Sequence, residues 1–369
     1  MSGLLLKNVN KIYPGGQQAI RDFSLEIKER EFLILAGPEG CGKSTLLRMI
    51  AGLEEITSGS LYIDGTDMTD AEPRERNIAM LFKNSVLYPD MTVSENLSFS
   101  LRMAKIAPDE IEKRIRETAN LLELEGVLDK MPSELTTKEV YQALLGRALM
   151  RRPGILLLDS TITDLDEDLQ KAVRQEFLNI HEKLDMTVIY VTNNQKTAMT
   201  LGTRMVVMNE GMICQDDTPQ DLLLHPNTSL VAGVVGYPPM NFFSAVVSGK
   251  DDAVWLDLKC GRIPISAKKG RLLADKGYLK KDVTVGIRAD ALSVLGAGKK
   301  GGDGILAVKS MGSEVFQSQR VLRFSLEETE GICLVEKTES FAAGESLLLK
   351  ADGGRVQIFD RENEQTVID

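Results

Sequence analysis

Residues 37–45 read Gly37-Pro38-Glu39-Gly40-Cys41-Gly42-Lys43-Ser44-Thr45, and this stretch decides the fold. It satisfies G-x-x-x-x-G-K-[ST], in which small residues let backbone N–H groups close around the phosphates of a nucleotide. Its flanks supply the required context. Glu31-Phe32-Leu33-Ile34-Leu35-Ala36, before it, is a short apolar run with the character of a buried strand. Leu46-Leu47-Arg48-Met49-Ile50-Ala51, after it, has a helical pattern whose N-terminus would point at the phosphates. A glycine-rich turn without function would need Lys43 and Ser44 to fall in place by chance. The chain is therefore expected to bind a nucleoside triphosphate. Whether it hydrolyses one is a separate question.

Working outward, residues 4–35 read as short strands separated by a turn at Pro14-Gly15-Gly16. A strand at 60–63 ends in the hairpin-type pair Asp64-Gly65. Helical spacing of apolar residues covers 109–130, and a second amphipathic helix covers 139–150. Ile155-Leu156-Leu157-Leu158-Asp159 is an apolar run ending in a carboxylate, as a central parallel strand would be. A helix at 166–184 and a strand at 187–192 continue the alternation of an α/β sheet. Beyond Gly236-Tyr237-Pro238-Pro239 the texture changes to short β-like segments, such as 283–287, 321–324 and 346–350, which predict a small all-β barrel or sandwich.

Composition narrows the function classes. At 369 residues the chain exceeds one ordinary core, so two domains are expected. It has no run of eighteen apolar residues to span a membrane, and its first residues carry no basic or apolar leader. Cys41, Cys214, Cys260 and Cys333 are scattered, which fits a reducing compartment rather than a disulfide framework or a metal cluster. A formal charge of −10, with no basic block, argues against nucleic acid as a partner. His181 and His225 belong to no metal-ligand pattern.

Together these segments resemble the ATP-binding subunits of ABC transporters, and more narrowly the maltose/oligosaccharide-type importer ATPases. Leu87-Tyr88-Pro89-Asp90-Met91-Thr92-Val93-Ser94-Glu95-Asn96-Leu97 is close to that family's L-Y-P-H-M-T-V-x-E-N. Leu145-Gly146-Arg147-Ala148-Leu149 follows the signature helix as in the family, and Pro238-Pro239-Met240-Asn241-Phe242-Phe243 resembles the junction into its C-terminal β domain. Gly286-Ile287-Arg288 and Gly312-Ser313-Glu314 look like internal marks of that domain. The resemblance implies an α/β fold: a P-loop NTPase (ABC ATPase) domain over 1–240, with a helical subdomain at about 89–151. A small all-β, OB/TOBE-like domain over 241–369 completes it. It implies ATP and Mg²⁺ as cofactors, with Tyr13 stacking on adenine, residues 37–45 holding the phosphates, and Ser44 and Asp159 holding the metal. Asp166 falls in the D-loop segment Thr163-Asp164-Leu165-Asp166.

At four places the chain departs from the family pattern. The water-activating glutamate after residues 155–159 is replaced by Ser160, whose hydroxyl is no base at neutral pH. The histidine that contacts the γ-phosphate is replaced by Asn193, which can donate a hydrogen bond but carries no charge. The glutamine that senses Mg²⁺ is replaced by Lys83, whose ammonium cannot coordinate a cation. The Leu-Ser-Gly-Gly-Gln signature becomes Leu135-Thr136-Thr137-Lys138-Glu139. In the family this segment meets, in trans, ATP held by the opposite subunit. Glu139 would repel that phosphate and Lys138 would attract it, an opposition the sequence leaves open.

The expectation is an energy-coupling subunit with impaired hydrolysis in its own site. It would dock on permease subunits at the cytoplasmic face of the membrane and pair with a second ATP-binding subunit, either an intact paralogue or a second copy. A non-hydrolysing regulatory or scaffold subunit is the alternative.

Overall fold

A computed structural model describes residues 3–160, 165–250, 253–295, 302–316, 319–326 and 329–368. Chain contacts divide it into two compact units, Met1–Pro219 and Gln220–Asp369. The first unit contains strands β1 (Leu4–Ile12), β2 (Gln18–Ile27) and β3 (Phe32–Ala36), then helix α1 (Lys43–Ala51). Strands β4 (Ser58–Ile63), β5 (Thr66–Asp67) and β6 (Ile78–Phe82) lead to helices α2 (Val93–Met103), α3 (Pro108–Leu121) and α4 (Thr137–Leu149). Strand β7 (Ile155–Asp159), helix α5 (Glu167–Leu184), strand β8 (Thr187–Val191), helix α6 (Gln195–Leu201) and strands β9 (Arg204–Asn209) and β10 (Met212–Asp217) follow.

One sheet has the order β10-β9-β3-β8-β7-β6 and is parallel except for the β9/β10 hairpin. Every residue of β3, β7 and β8 is buried, as expected of parallel strands covered on both faces. Because β3, β6, β7 and β8 run the same way, the residues that follow them emerge along one sheet edge. These are the loop at 37–42, Lys83, Ser160 and Asn193. Such an edge is where open α/β sheets bind ligands. A second, antiparallel sheet of order β2-β1-β4-β5 shares its core with α1, through Leu6, Phe23, Leu46, Met49 and Leu61.

The helix expected over 109–130 is shorter than its apolar spacing suggests. It ends at Leu121, Glu123 takes a left-handed φ of 56°, and Glu125–Val127 form a single tighter turn. Leu122 and Leu124 are both fully buried. In a continuing helix they would point about 200° apart, so the chain must turn to bury both.

The second unit carries two antiparallel sheets. One orders Gly261–Pro264, Ala253–Leu258, Asn241–Lys250, Asp282–Ile287, Gln357–Asp360 and Thr366–Ile368. The other orders Leu292–Val294, Ser346–Ala351, Ile305–Phe316, Gln319–Leu326 and Thr329–Leu334. Alternating residues such as Val247, Leu256, Val285 and Phe324 form a common core. The unit is not purely β, since Ala267–Asp275 is a helix. The sequence reading puts the domain border at 240/241, whereas the contact border lies about one helix pair earlier. Arg288 explains why: its guanidinium donates to the carbonyls of Leu223, Ala232 and Val235, fastening that segment to the β strands. Burial pushes Arg288 down to about 10. Arg288 is thus a partly buried fastener, and Glu314 is paired with Arg323 at 2.5 Å.

Candidate functional site

The site begins at the loop between β3 and α1. Gly37 has φ 143°, and a Cβ there would stand 2.2 Å from the Met208 carbonyl oxygen. Gly42 has φ 108°, and its Cβ would meet the Ala19 carbonyl oxygen at 2.6 Å. Both positions therefore demand glycine for space as well as for backbone conformation. The Gly211 N–H donates to the Cys41 carbonyl at 2.9 Å, which ties the loop to the β9–β10 turn. Cys41 itself is buried, so it acts as a small packing residue here.

Lys43 is only 6% exposed, and its ammonium donates to the carbonyls of Gly37 (2.8 Å) and Pro38 (2.7 Å). The loop thus closes on its own lysine, holding a buried cation where phosphate oxygens would otherwise be met. Ser44 Oγ donates to Asp159 Oδ1 at 3.0 Å, joining the start of α1 to the end of β7. A hydroxyl and a largely buried carboxylate converging in this way form the oxygen-donor set that suits Mg²⁺. Among the described residues no cluster of three or more His, Cys, Asp or Glu side chains offers another metal site.

A cleft of about 460 Å³ opens above the loop, a size suited to a small-molecule ligand. Tyr13, Glu39, Gly40, Gly42, Lys43 and Thr45 border it with Ser44, and Ser160 and Asn193 close its far side. Gly37, Pro38 and Cys41 do not border it. The Tyr13 hydroxyl is 3.4 Å from Thr45 Oγ1, and its ring lies under the Lys11 ammonium, 5.1 Å from the centroid. Lys11 is itself pinned by Glu54 at 2.6 Å. Ser160 adopts a left-handed φ of 50°, a conformation that non-glycine residues reach at a cost and that recurs at functional sites. The Asn193 amide donates to Glu39 Oε1 at 3.5 Å.

The remaining candidates stand elsewhere. Lys83 is exposed in the turn after β6 and does not border the cleft, although Phe82 is in register with Asp159, so Lys83 follows at the edge beside Ser160. Asp166 caps α5, accepting from the Leu169 N–H at 2.8 Å. Thr163 and Asp164 lie outside the described residues. Thr136, Thr137, Lys138 and Glu139 open α4, away from the cleft.

Their geometry bears on the open question of Lys138 against Glu139. The Glu139 carboxylate accepts from the Thr136 N–H at 2.6 Å and the Thr136 hydroxyl at 2.8 Å, while the Glu139 N–H donates back at 3.3 Å. This reciprocal cap partners the Thr136 and Glu139 N–H groups within the chain. The Thr136 backbone and hydroxyl hydrogen bonds hold the Glu139 carboxyl below its ordinary range. Lys138 is 3.3 Å from Glu123, an exposed pair.

Sequence reasoning missed the pairing of Glu39 with Asn193, and missed Arg21 and Glu210, which also line the cleft. Those two come from β2 and the β9–β10 turn, which only the folded sheets bring beside the loop.

Residues 20–163 match the ABC transporter family model, and residues 236–292 match the MalK OB fold domain. The oligosaccharides import ATP-binding protein MsmX of Bacillus subtilis is 36% identical, covering 99% of both chains. The chain belongs to the ABC transporter ATP-binding proteins. The sn-glycerol-3-phosphate import ATP-binding protein UgpC of Salmonella typhi is also 36% identical over the full length of both chains. A solved relative is the ATP-binding cassette MJ0796, in a dimeric post-hydrolysis state bound to ADP and Pi. It is 30% identical with a TM-score of 0.52, covering 58% of this chain and 98% of that one. Membership in the ABC transporter family implies ATP as the ligand of the cleft and Mg²⁺ as its usual companion. The OB-fold match agrees with the β strands of the second unit.

Proposed function

We propose that this chain is the energy-coupling subunit of a carbohydrate-type ABC importer whose own site holds ATP with little hydrolysis, and that it works beside an intact paralogue. The observation that carries the reading is the far wall of the cleft. Lys43, Ser44 and Asp159 keep the equipment for phosphates and Mg²⁺, while Ser160 and Asn193 occupy the positions facing them. Neither is a base at neutral pH, so general-base help of roughly 10²–10⁴-fold is absent.

Ser44 and Asp159 would hold Mg²⁺, which offsets phosphate charge when bound. Tyr13, steadied by Lys11, would stack on the adenine. Lys83, beside Ser160 at the sheet edge, supports a weakened dependence on the metal. The start of α4 would meet a nucleotide held by the opposite subunit, but the Thr136 N–H and hydroxyl are already engaged by Glu139.

Membrane partners would dock on the surface near residues 83–96. Val86 is 73% exposed there, and Tyr88 lies between Phe99 and the Arg147 guanidinium. No helix among the described residues is long and apolar enough to cross a membrane, so permeases would hold the chain at the cytoplasmic face. The names of MsmX and UgpC support small, carbohydrate-type cargo. Co-expression with intact ATP-binding paralogues and permeases tests the reading. It expects a mixed complex, and a transport-competent homodimer would overturn it.

A further inference from the structure

Glu39 is the one side chain of the phosphate loop that brings negative charge into the cleft. It follows Pro38, whose carbonyl holds the Lys43 ammonium at 2.7 Å, so it stands beside the cation that would receive the outer phosphates of a nucleotide. From there Oε1 reaches the Asn193 amide at 3.5 Å. That contact crosses the cleft mouth from the loop to the segment after β8, and Ser160 borders the same cleft.

From this arrangement we infer that Glu39 makes the cleft selective for a nucleoside diphosphate over the corresponding triphosphate. The inference rests on nucleotide binding as proposed above and adds the preferred phosphate count. Inner phosphates have the loop N–H groups and Ser44 to meet them, and Lys43 reaches the outer ones. A third phosphate has to lie outward from Lys43, toward Ser160 and Asn193. There the Glu39 carboxylate stands beside Lys43, and the Asn193 amide is already engaged by that carboxylate. Two like charges in one partly solvated mouth repel, and the side chains that border the cleft there, Ser160 and Asn193, are both neutral. Selectivity here comes from an element that disfavours one ligand, not from an added contact to the other.

The expected size is about tenfold in the ratio of affinities, appropriate to one unit charge at an exposed site, and it should shrink with salt. The experiment measures dissociation constants of the full chain for ADP and ATP, each with Mg²⁺, at roughly 50 mM and 500 mM salt. Wild type, Glu39→Gln and Glu39→Ser are compared. ADP is expected to bind about ten times more tightly than ATP at low salt, with the ratio falling at high salt and moving toward ATP in both variants. The wild-type salt series stands by itself if a variant fails to fold. A ratio that neither salt nor either substitution changes overturns the inference while leaving nucleotide binding intact. Failure of the wild type to bind both nucleotides overturns the proposed function and this inference with it.

Discussion

Thr136 and Glu139 hold each other at the start of α4, through three hydrogen bonds between 2.6 and 3.3 Å. At the helix end that the family presents to a partner's nucleotide, Thr136 and the Glu139 N–H are here partnered within their own chain. Thr136→Ala is therefore expected to cost about 1 kcal/mol, the usual value of an N-cap, measured by denaturant unfolding. The Glu139 carboxyl is held below its ordinary range in the folded chain. Its contribution is thus present above the unfolded-state value and is lost as pH falls through the lower folded value. Glu139→Gln should flatten that acid limb of the stability profile.

Replacing residues 136–139 by Ser-Gly-Gly-Gln should free the α4 end for a phosphate in trans. In a mixed complex with an intact paralogue, hydrolysis at the paralogue's phosphate loop is expected to rise by about 10²-fold, the scale of one recovered oxyanion-type donor. The check is ATPase activity of the mixed complex with this chain's Lys43 mutated to Ala, which silences the chain's own loop.

Gly37 faces the Met208 carbonyl at a separation that leaves no room for a side chain. Gly37→Ala should destabilise the first unit by about 1–3 kcal/mol and weaken nucleotide binding at least tenfold, because the loop must shift off β9. Thermal unfolding and nucleotide titration together read the two effects.

Glu176, on α5, accepts from Gln142 at 3.1 Å through one oxygen, while its other oxygen is buried with no hydrogen-bond partner. Burial raises its carboxyl above the ordinary range. A raised folded value means that its contribution is complete below the unfolded-state value and is lost as pH rises through the folded one. Stability measured from acid to neutral pH should therefore decline through that window in the wild type and stay flatter in Glu176→Gln.

Removal of Mg²⁺ tests the role of Lys83. If its ammonium lends positive charge to the sheet edge beside Ser160, a chelator should weaken nucleotide binding by less than about tenfold, and Lys83→Gln should restore a larger loss. A large loss in the wild type contradicts that role.

Much of this architecture was legible in the sequence because its signals are local. The loop at 37–45 and the apolar strand at 155–159 each announce themselves within a few residues. What stayed hidden depends on contacts distant in sequence. The Glu39–Asn193 pair joins positions 154 residues apart, and it exists only because β3 and β8 are parallel neighbours. At the start of α4 the sequence left open whether Lys138 would attract a phosphate or Glu139 repel it, and in the folded chain Glu139 turns back onto Thr136 while Lys138 pairs with Glu123. Arg288 was legible as a mark of the β domain, but its role as a fastener to residues 223–235 needed the packing.

The central claim is that the chain holds ATP without spending it. The direct measurement compares ATP binding with hydrolysis for the purified wild type and for Ser160→Glu combined with Asn193→His, both dimerised with the same intact paralogue. To isolate this chain's own site, the paralogue carries a disabled phosphate loop. The account predicts saturable ATP binding by both proteins and turnover about 10²-fold or more higher in the double variant. Wild-type turnover at an ordinary enzymatic rate, on the order of 10 s⁻¹, with no gain from the double substitution, would contradict it.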